Sequence, residues 1–289
     1  MHRQRLKFMS CAVQPEILRF AQDEGRVTKP KKHWGQNFLR NRGAVGKIVE
    51  AIAPPPDELV LEIGPGEGVL TEKLAELPND LEAIEIDPEL AARLRTRFGD
   101  RINLRHEDAV DAALPVRPFR AVGNLPYNVG TPILRRVIAD PHCRRAVFML
   151  QKEVADRVVA RPGSDPYGYL TLYVAMFAKA RIVMTLDPRS FYPPPKVRSA
   201  VVVLDPIAPP YRSDREALLD LISHSFRMRR KKLVNNLTGW RNASKEGIER
   251  AMVAAGIDPG VRAETLALAD FDRLLHNVMQ LTPQSPIGV

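Results

Sequence analysis

Three glycines at alternate positions, placed directly after a short apolar segment, constrain the fold of this chain more than any other feature. The apolar segment, Leu59–Ile63, predicts a buried strand, and Val69–Leu77 predicts a helix. The glycines between them are Gly64, Gly66 and Gly68. Glycines at such a turn let a ligand approach the backbone closely, and the helix that follows offers unpaired N–H groups at its start. The sequence therefore predicts a ligand site between the first strand and helix of an α/β unit.

Strand-like and helix-like segments continue to alternate after this turn. Leu81–Ile86 predicts a second strand, and Pro88–Phe98 predicts a helix with Asp87 as its N-cap and proline at its first position. Further strands are predicted over residues 102–105, 121–122, 146–150 and 200–204, and a helix over residues 131–139. This alternation indicates a doubly wound parallel sheet, to which residues 200–204 add an antiparallel strand. Periodicity alone leaves residues 170–178 as either a strand or a buried helix.

Proline clusters and a change of pattern divide the chain into three parts. We expect a basic arm over residues 1–33, the α/β domain over residues 34–206 and a small helical domain over residues 207–289. The helical domain has apolar residues at near-helical spacing over Glu216–Leu237, Ile248–Ala255 and Thr265–Leu281. From Arg26 to Lys47 the chain has seven basic side chains and no acidic one. The arm is therefore either a solvated tail or a segment that contacts phosphates.

The net charge and the cysteine content limit the classes of protein to which this chain can belong. Lys and Arg number 43 against 34 for Asp and Glu, a formal charge of +9. This excess favours polyanionic partners through counterion release, without separating nucleic acid from an anionic membrane.

The two cysteines, Cys11 and Cys143, are too far apart for a CxxC motif, which excludes a disulfide framework and disfavours a cysteine zinc site. No apolar run approaches the roughly 18 residues of a membrane span, and residues 1–13 lack the apolar core of a secretory signal. We therefore expect a cytoplasmic protein with no metal and no membrane partner.

Two acidic residues are predicted to lie at the same sheet edge as the glycines. Glu85 ends the second strand, about twenty residues after the glycine turn, where an acid commonly binds ribose hydroxyls. Asp108 follows the third strand and is either an acceptor for an adenine amine or an N-cap. The pattern resembles that of nucleoside-binding folds, including methyltransferases that use S-adenosylmethionine, although a tight turn with a surface Glu is the alternative. Val69 stands where the dinucleotide fingerprint needs glycine, which disfavours an NAD-dependent oxidoreductase.

The segment Gly123–Asn128 carries the sharpest chemical signal. Pro126 has no N–H and disfavours a helical conformation at Leu125, which leaves the Leu125 carbonyl free to point into a pocket. The side-chain oxygen of Asn124 is a second acceptor beside it. Two such acceptors suit the two N–H groups of an exocyclic amine such as adenine N6. Tyr127 adds an aromatic face for stacking, worth roughly 1–3 kcal/mol per base. An ordinary Asn-Pro-type turn is the alternative interpretation.

The absence of several common catalytic motifs agrees with a site that binds an exocyclic amine. It contains no HExxH, CxxC, GxSxG or Walker lysine motif. A methyl sulfonium already has a good leaving group, so alignment of the reacting atoms supplies the rate, up to roughly 7–11 kcal/mol. Phe191, in the rigid segment Phe191–Lys196, is predicted to form the other side of a base sandwich with Tyr127. Packing of this aromatic ring against the prolines is the alternative.

Taken together, these motifs resemble the ribosomal RNA adenine N6,N6-dimethyltransferase family of the KsgA type. The resemblance extends from about Lys31 to Leu281. The matching motifs, in order, are Gly35–Leu39, Glu62–Gly66, Ile84–Asp87, Glu107–Ala109, Asn124–Tyr127, Phe191–Val197, Arg229–Lys231 and Arg262–Glu264. Each motif alone is weak evidence, whereas the set in this order is specific. The extension of some thirty residues at the N-terminus departs from the family core.

The resemblance implies a Rossmann-like S-adenosylmethionine-dependent methyltransferase sheet with a small C-terminal helical domain. It implies that S-adenosylmethionine contacts Asn37, Leu39, Gly64, Glu85, Asp108 and Asn124. It also implies that the target adenine is held by Asn124, Leu125, Pro126, Tyr127 and Phe191. The implied reaction is dimethylation of two adjacent adenosines in the 3′-terminal hairpin loop of small-subunit (16S) ribosomal RNA. The implied partner is ribosomal RNA within a pre-30S particle, and the resemblance also implies a role in 30S biogenesis. We expect the protein to be a monomer.

A cluster of five cations in the C-terminal part is predicted to lie on a helix and to contact the RNA backbone. These residues, called here the basic cluster, are Arg227, Arg229, Arg230, Lys231 and Lys232. A solvated helix face is the alternative.

Two related functions remain open from the sequence. One is the large-subunit (23S) ribosomal RNA methyltransferase of the macrolide-resistance type, against which Leu125 and Thr131–Leu134 argue. The other is a non-catalytic nucleic-acid-binding relative, against which the set Gly64, Glu85, Asp108 and Asn124 argues.

Overall fold

The computed structural model describes residues 30–31 and 34–281, so the predicted basic arm lies outside the described residues except at Pro30 and Lys31. Strands and helices alternate as far as residue 206 and helices alone follow. In chain order the first group comprises β1 (Phe38–Leu39), α1 (Arg42–Ile52), β2 (Leu59–Ile63), α2 (Val69–Leu74), β3 (Leu81–Glu85), α3 (Pro88–Phe98), β4 (Asn103–His106), β5 (Phe119–Asn124), α4 (Gly130–Ala139), β6 (Cys143–Gln151), α5 (Lys152–Val158), α6 (Tyr169–Phe177), β7 (Ala178–Leu186), β8 (Phe191–Tyr192) and β9 (Ser199–Pro206). The second group comprises α7 (Arg215–Ser225), α8 (Leu233–Leu237), α9 (Lys245–Ala254) and α10 (Leu268–Leu281).

Seven strands form one mixed sheet in the order β4-β3-β2-β5-β6-β9-β7. The five strands from β4 to β6 are parallel, and β9 runs antiparallel to both β6 and β7. The predicted doubly wound sheet is confirmed, as is the added antiparallel strand, in which Leu204 pairs with Ala146. The short strands β1 and β8 form a separate pair beside the main sheet, with Leu39 opposite Phe191.

The ambiguous segment over residues 170–178 is a helix that changes into a strand at its last residue. α6 ends at Phe177 and β7 begins at Ala178. Most side chains of α6 are buried, including the run Thr171–Val174. A helix that is buried on nearly all sides has no polar face, which is why periodicity did not distinguish it from a buried strand.

Local capping explains where two of the helices begin. The Asp87 side chain accepts a hydrogen bond from Glu89 N at 3.0 Å, and Pro88 occupies the first turn of α3, as predicted. The Asn41 side chain caps α1 in the same way through Ala44 N. The sequence placed several boundaries a few residues away from those observed, and α2 ends at Leu74 rather than at residue 77.

Two glycine positions hold the sheet edge in the shape that the site needs. Gly66 has a φ of 59°, and a Cβ there would lie 3.0 Å from the Phe38 ring. A Cβ on Gly123 would lie 2.3 Å from the Ile63 carbonyl oxygen, closer than any real contact of this kind. The absence of a side chain at Gly123 therefore allows β5 to lie this close to β2 at their carboxyl ends.

The prediction that the basic cluster lies on a helix is wrong. α7 ends at Ser225 and α8 begins at Leu233, so all five cations lie on the exposed loop between the two helices. The Asn236 side chain donates to the carbonyl oxygens of Ser225 and Met228. These bonds satisfy carbonyl groups that a continuing helix would have used, and in such a helix Arg227 and Lys231 would place like charges four residues apart, which is unfavourable.

The helices after residue 206 share a buried core with the sheet. One continuous cluster of buried side chains includes Phe148 of β6, Leu218 of α7 and Phe271 of α10. A second cluster covers the other face of the sheet and includes Val45 of α1 and Phe98 of α3. The helical part is therefore fixed against the sheet by apolar packing.

Candidate active site

A cavity of about 220 Å³ lies at the carboxyl ends of β2, β3 and β5, where the glycine turn was predicted to place a ligand. Its walls come from residues 34–38, the glycine turn, the end of β3, residues 107–109 and residues 124–129. Eight residues predicted from the sequence line it, namely Asn37, Gly64, Glu85, Asp108, Asn124, Leu125, Pro126 and Tyr127. Carboxyl ends of parallel strands meet at one edge, so residues far apart in sequence converge here.

Two of the predicted residues lie elsewhere. Leu39 lines a smaller adjoining cavity of about 40 Å³, which Gly64 and Asn124 also line. Phe191 is only 4% exposed, packs in the core cluster that includes Val45, and does not line either cavity in the part of the chain that the structure describes. The structure thus brings Tyr127, but not Phe191, to the wall of the larger cavity.

Glu85 joins the glycine turn to the end of β3. It is 4% exposed, and its carboxylate accepts hydrogen bonds from Gly66 N at 3.0 Å and Asp87 N at 2.9 Å. Burial raises the pKa of Glu85 above its ordinary value, while the backbone N–H groups oppose that rise. The carboxylate is therefore held in one orientation at the cavity wall.

The Asn124 amide is also fixed in one orientation. Its Nδ2 donates to the Asn37 carbonyl oxygen at 2.7 Å, which leaves Oδ1 as the acceptor end. Leu125 N donates to the Met149 carbonyl at 3.2 Å, and Pro126 O accepts from Val129 N and Gly130 N at the start of α4. Among the described residues, no N–H group donates to the Leu125 carbonyl. Two adjacent residues of the cavity wall, Asn124 and Leu125, thus each keep an acceptor oxygen available.

Tyr127 lines the cavity, and its hydroxyl is engaged in a contact with a buried residue. The hydroxyl oxygen lies 2.9 Å from Ser199 Oγ, and Ser199 is fully buried. Burial raises the pKa of the Tyr127 phenol above its ordinary value, so the group is neutral at pH 7.

A segment before β1 closes one side of the cavity and is fastened to Asp87. The Gln36 side chain donates to Asp87 Oδ2 at 2.9 Å, and Lys31 Nζ lies 2.8 Å from Asp87 Oδ1. Burial by itself would raise the pKa of Asp87, but these hydrogen bonds outweigh that effect and hold the pKa below its usual range. Sequence reasoning assigned Asp87 only the N-cap role, because nothing local indicates a contact with residue 31 or 36.

Glu62 is a further polar residue that sequence reasoning did not single out as functional. It is 1% exposed and lines the smaller cavity, and its Oε2 has no hydrogen-bond partner within the described residues. Burial raises the pKa of Glu62 to about 8, so the side chain is mainly protonated at pH 7. The signal in the sequence was a carboxyl group inside an otherwise apolar strand.

The chemistry of the larger cavity suits a nucleoside. Ile84, Ile86 and Ile133 supply apolar wall, and the carboxyl groups of Glu85 and Asp108 lie beside them. A nucleoside presents the complementary surfaces, a flat apolar ring face with hydroxyl and amine donors at its edges. Residues 30–31 and 34–281 contain no group of three His, Cys, Asp or Glu side chains placed to hold a metal ion. In the same residues, no helix combines the length and apolar character needed to cross a membrane.

Comparisons with known proteins agree with this geometry. A protein from Methylococcus capsulatus named "Ribosomal RNA small subunit methyltransferase A" is 44% identical over 255 residues, covering 84% of this chain and 95% of that protein. The crystal structure of a dimethyladenosine transferase from Plasmodium falciparum has 26% identity and a TM-score of 0.73, covering 84% of this chain and 98% of that one. The crystal structure of the 23S rRNA methyltransferase ErmE has 29% sequence identity and a TM-score of 0.68. The match covers 84% of this chain and 99% of the ErmE chain.

The shared fold is the mostly parallel sheet with C-terminal helices described above. The sequence profile of the family described as "Ribosomal RNA adenine dimethylase" matches residues 27–279, which include every element of the sheet and nearly all of the C-terminal helices. The chain therefore belongs to the ribosomal RNA adenine dimethylase family.

Proposed function

We propose that this protein uses S-adenosylmethionine to dimethylate N6 of two adjacent adenosines in the 3′-terminal hairpin loop of small-subunit ribosomal RNA. The observation that carries the proposal is the acceptor pair at Asn124 and Leu125 on the wall of a cavity that Glu85 and Asp108 also line. The small-subunit specificity is supported by relatives such as the protein from Methylococcus capsulatus, whose name specifies that subunit.

The residues at the β2 and β3 ends are proposed to bind the cofactor. Bound S-adenosylmethionine supplies an electrophilic methyl group on a sulfonium. Glu85 is proposed to accept from ribose hydroxyls, since its orientation is already fixed by Gly66 N and Asp87 N. Asp108 is proposed to accept from the adenine amine of the cofactor. Asn37, Leu39 and Gly64 complete the proposed contacts, with Leu39 acting from the smaller cavity.

The last residue of β5 and the three residues after it are proposed to hold the target adenine. Asn124 Oδ1 and the Leu125 carbonyl accept hydrogen bonds from the two N–H groups of N6. These bonds favour a pyramidal nitrogen, whose lone pair is less delocalised into the ring and is therefore more nucleophilic. Tyr127 stacks on the base, and Pro126 keeps the backbone in the conformation that exposes the carbonyl. Each transfer would form the N6–methyl bond at the expense of the methyl–sulfur bond and would release one N6 proton. One N–H therefore remains after the first transfer, and one acceptor suffices for the second. The predicted sandwich with Phe191 is not part of this proposal, because the Phe191 side chain is buried in the core and lines neither cavity.

Selection of a loop adenosine follows from the chemistry. Bases in RNA loops are unstacked at lower cost than bases in a helix, and an enzyme that acts on N6 must take the base out of its stack. The exposed basic cluster is proposed to contact the RNA backbone, consistent with the net charge of +9. We also propose that the protein acts in the cytoplasm as a monomer on a pre-30S particle, with residues 207–289 as the ribosome-contacting part.

The proposal is tested with ribosomal particles that lack the modification. Purified 30S and 50S particles are incubated with the protein and labelled S-adenosylmethionine, and their nucleosides are analysed by mass spectrometry. We expect labelled dimethyladenosine from 30S particles only. Modification confined to 50S particles would instead support the 23S type, to which ErmE belongs. Absence of S-adenosylmethionine binding by calorimetry would support the non-catalytic alternative.

A further inference from the structure

The hydroxyl of Tyr127 makes a contact that base stacking does not explain. It lies 2.9 Å from Ser199 Oγ, and the two residues are separated by 72 positions in the chain. Tyr127 lines the cavity, whereas Ser199 is fully buried and does not line it. The contact therefore fastens the far end of the ring to the sheet.

Ser199 is a rigid anchor because of its place in the sheet. It is the first residue of β9, where it pairs with Gln151 of β6 on one side and Leu186 of β7 on the other. A residue paired on both sides has little backbone freedom. The hydroxyl that it offers to Tyr127 is thus fixed in position relative to the strand ends that form the site.

A tyrosine ring needs such an anchor to serve as a stacking platform. The torsion that turns an aromatic ring is broad, so the backbone alone does not set the ring plane. A hydrogen bond at the hydroxyl restricts that rotation before the base arrives. Small errors in the position of the reacting nitrogen cost methyl-transfer rate steeply, since alignment is the main source of catalysis here.

Acid–base catalysis by the phenol is a poorer explanation of the contact. The hydroxyl is engaged with a buried partner, and burial raises the pKa of Tyr127, which disfavours the phenolate that a base would need. Orientation of the ring is therefore the better explanation of the contact.

We propose that Ser199 is a positioning residue, whose hydroxyl holds the Tyr127 ring in the plane that aligns the target adenine for methyl transfer. This inference rests on the proposed function. It assigns the role to the hydroxyl rather than to the bulk of the side chain, so a substitution that keeps the hydroxyl retains the effect.

The test compares Ser199→Ala, Ser199→Thr and Tyr127→Phe with the wild-type protein on unmodified 30S particles. We expect Ser199→Ala and Tyr127→Phe each to lower kcat by roughly 10- to 100-fold, with KM for the particle and Kd for S-adenosylmethionine within twofold. The ratio of monomethyl to dimethyl product rises in both variants, because the second transfer has only one N–H left for alignment. Ser199→Thr restores most of the wild-type kcat. The double variant Ser199→Ala/Tyr127→Phe is no slower than either single variant, because both remove the same bond.

Ser225→Ala serves as the matched control. Ser225 is another fully buried serine, and its hydroxyl donates to the Leu221 carbonyl within α7, away from the cavity. We expect its kcat and product ratio to equal those of the wild type. If Ser199→Ala does not fold, Tyr127→Phe removes the same hydrogen bond by deleting its other partner, and the kcat and product ratio of that variant then test the inference.

Three results would overturn the inference. They are a wild-type kcat and product ratio in Tyr127→Phe or in folded Ser199→Ala, additive losses in the double variant, and an equal loss in Ser225→Ala. Failure of the proposed function looks different, because the wild-type protein itself then leaves 30S adenosines unmodified.

Discussion

Asn124 Nδ2 donates a hydrogen bond of 2.7 Å to the carbonyl oxygen of Asn37, which lies 87 positions earlier in the chain. One bond thereby joins the segment before β1 to the last residue of β5, and both residues line the cavity. It also decides which end of the amide faces outward as an acceptor. An aspartate at this position would lose the donor and place a negative charge against a carbonyl oxygen.

The first prediction concerns this acceptor. We expect Asn124→Ala to lower kcat for methyl transfer by more than about 100-fold, comparable to the loss of one preorganised polar group at other active sites. Cofactor binding stays measurable by calorimetry, because Glu85 and the glycine turn are unchanged. Asn277→Ala, on α10 and outside the cavity, is the control and retains full turnover. Full turnover in Asn124→Ala would contradict the acceptor role.

The second prediction concerns the closure of the cavity by Gln36. Its side chain donates to Asp87 Oδ2 and accepts from Lys31 N at 2.7 Å, and it lines the cavity. We expect Gln36→Leu to raise the Kd for S-adenosylmethionine about three- to tenfold, because a hydrogen bond to a charged group that orders this wall is removed. Calorimetry measures the change. The exposed Gln280→Leu on α10 controls for a general effect, and an unchanged Kd in Gln36→Leu would show that the closure does not assist binding.

The third prediction concerns the buried carboxyl of Glu62. Burial raises its pKa from an ordinary 4.5 to about 8, so the folded protein retains this proton at a pH where the unfolded chain has lost it. Its stabilising contribution is therefore full below pH 4.5 and is lost as the pH rises toward 8. One pKa unit corresponds to about 1.4 kcal/mol, so the loss amounts to roughly 3–5 kcal/mol.

Glu62→Gln removes this titration while preserving the size of the side chain. The free energy of unfolding from urea titrations should fall less steeply with pH in the variant than in the wild type over that range. The exposed Glu50→Gln on α1 is the control and should follow the wild-type curve. Parallel curves for Glu62→Gln and the wild type would mean that Glu62 ionises in the folded protein as it does in water.

The fourth prediction concerns the basic cluster. Arg229 and Arg230 lie on the exposed loop that Asn236 holds between α7 and α8. We expect Arg229→Ala/Arg230→Ala to weaken binding to 30S particles and to reduce the slope of log K against log salt by about one for each phosphate that is no longer neutralised. Binding measured at several KCl concentrations gives the slope. Lys179→Ala/Arg181→Ala, which removes two exposed cations from edge strand β7, should leave it unchanged. Equal slopes for the loop variant and the wild type would refute a phosphate role.

The sequence by itself determined the α/β architecture and most of the larger cavity. Alternating apolar segments predicted the parallel sheet, and Gly64, Glu85, Asp108 and Asn124 each follow or end a predicted strand. Their convergence follows from topology, because all parallel strands end at the same edge. The Asn124–Tyr127 segment was informative because the effect of proline on its neighbours is local.

Only the tertiary structure decided the features that depend on distant partners. The hydrogen bonds from Gln36 to Asp87 and between Tyr127 and Ser199 join residues 51 and 72 positions apart. The end of α7 at Ser225 depends on Asn236, which is 11 positions later and takes up the freed carbonyl group. The core position of Phe191 depends on the pairing of β8 with β1. Periodicity and capping describe interactions within a few residues, whereas these contacts arise only after the chain has brought separate elements together.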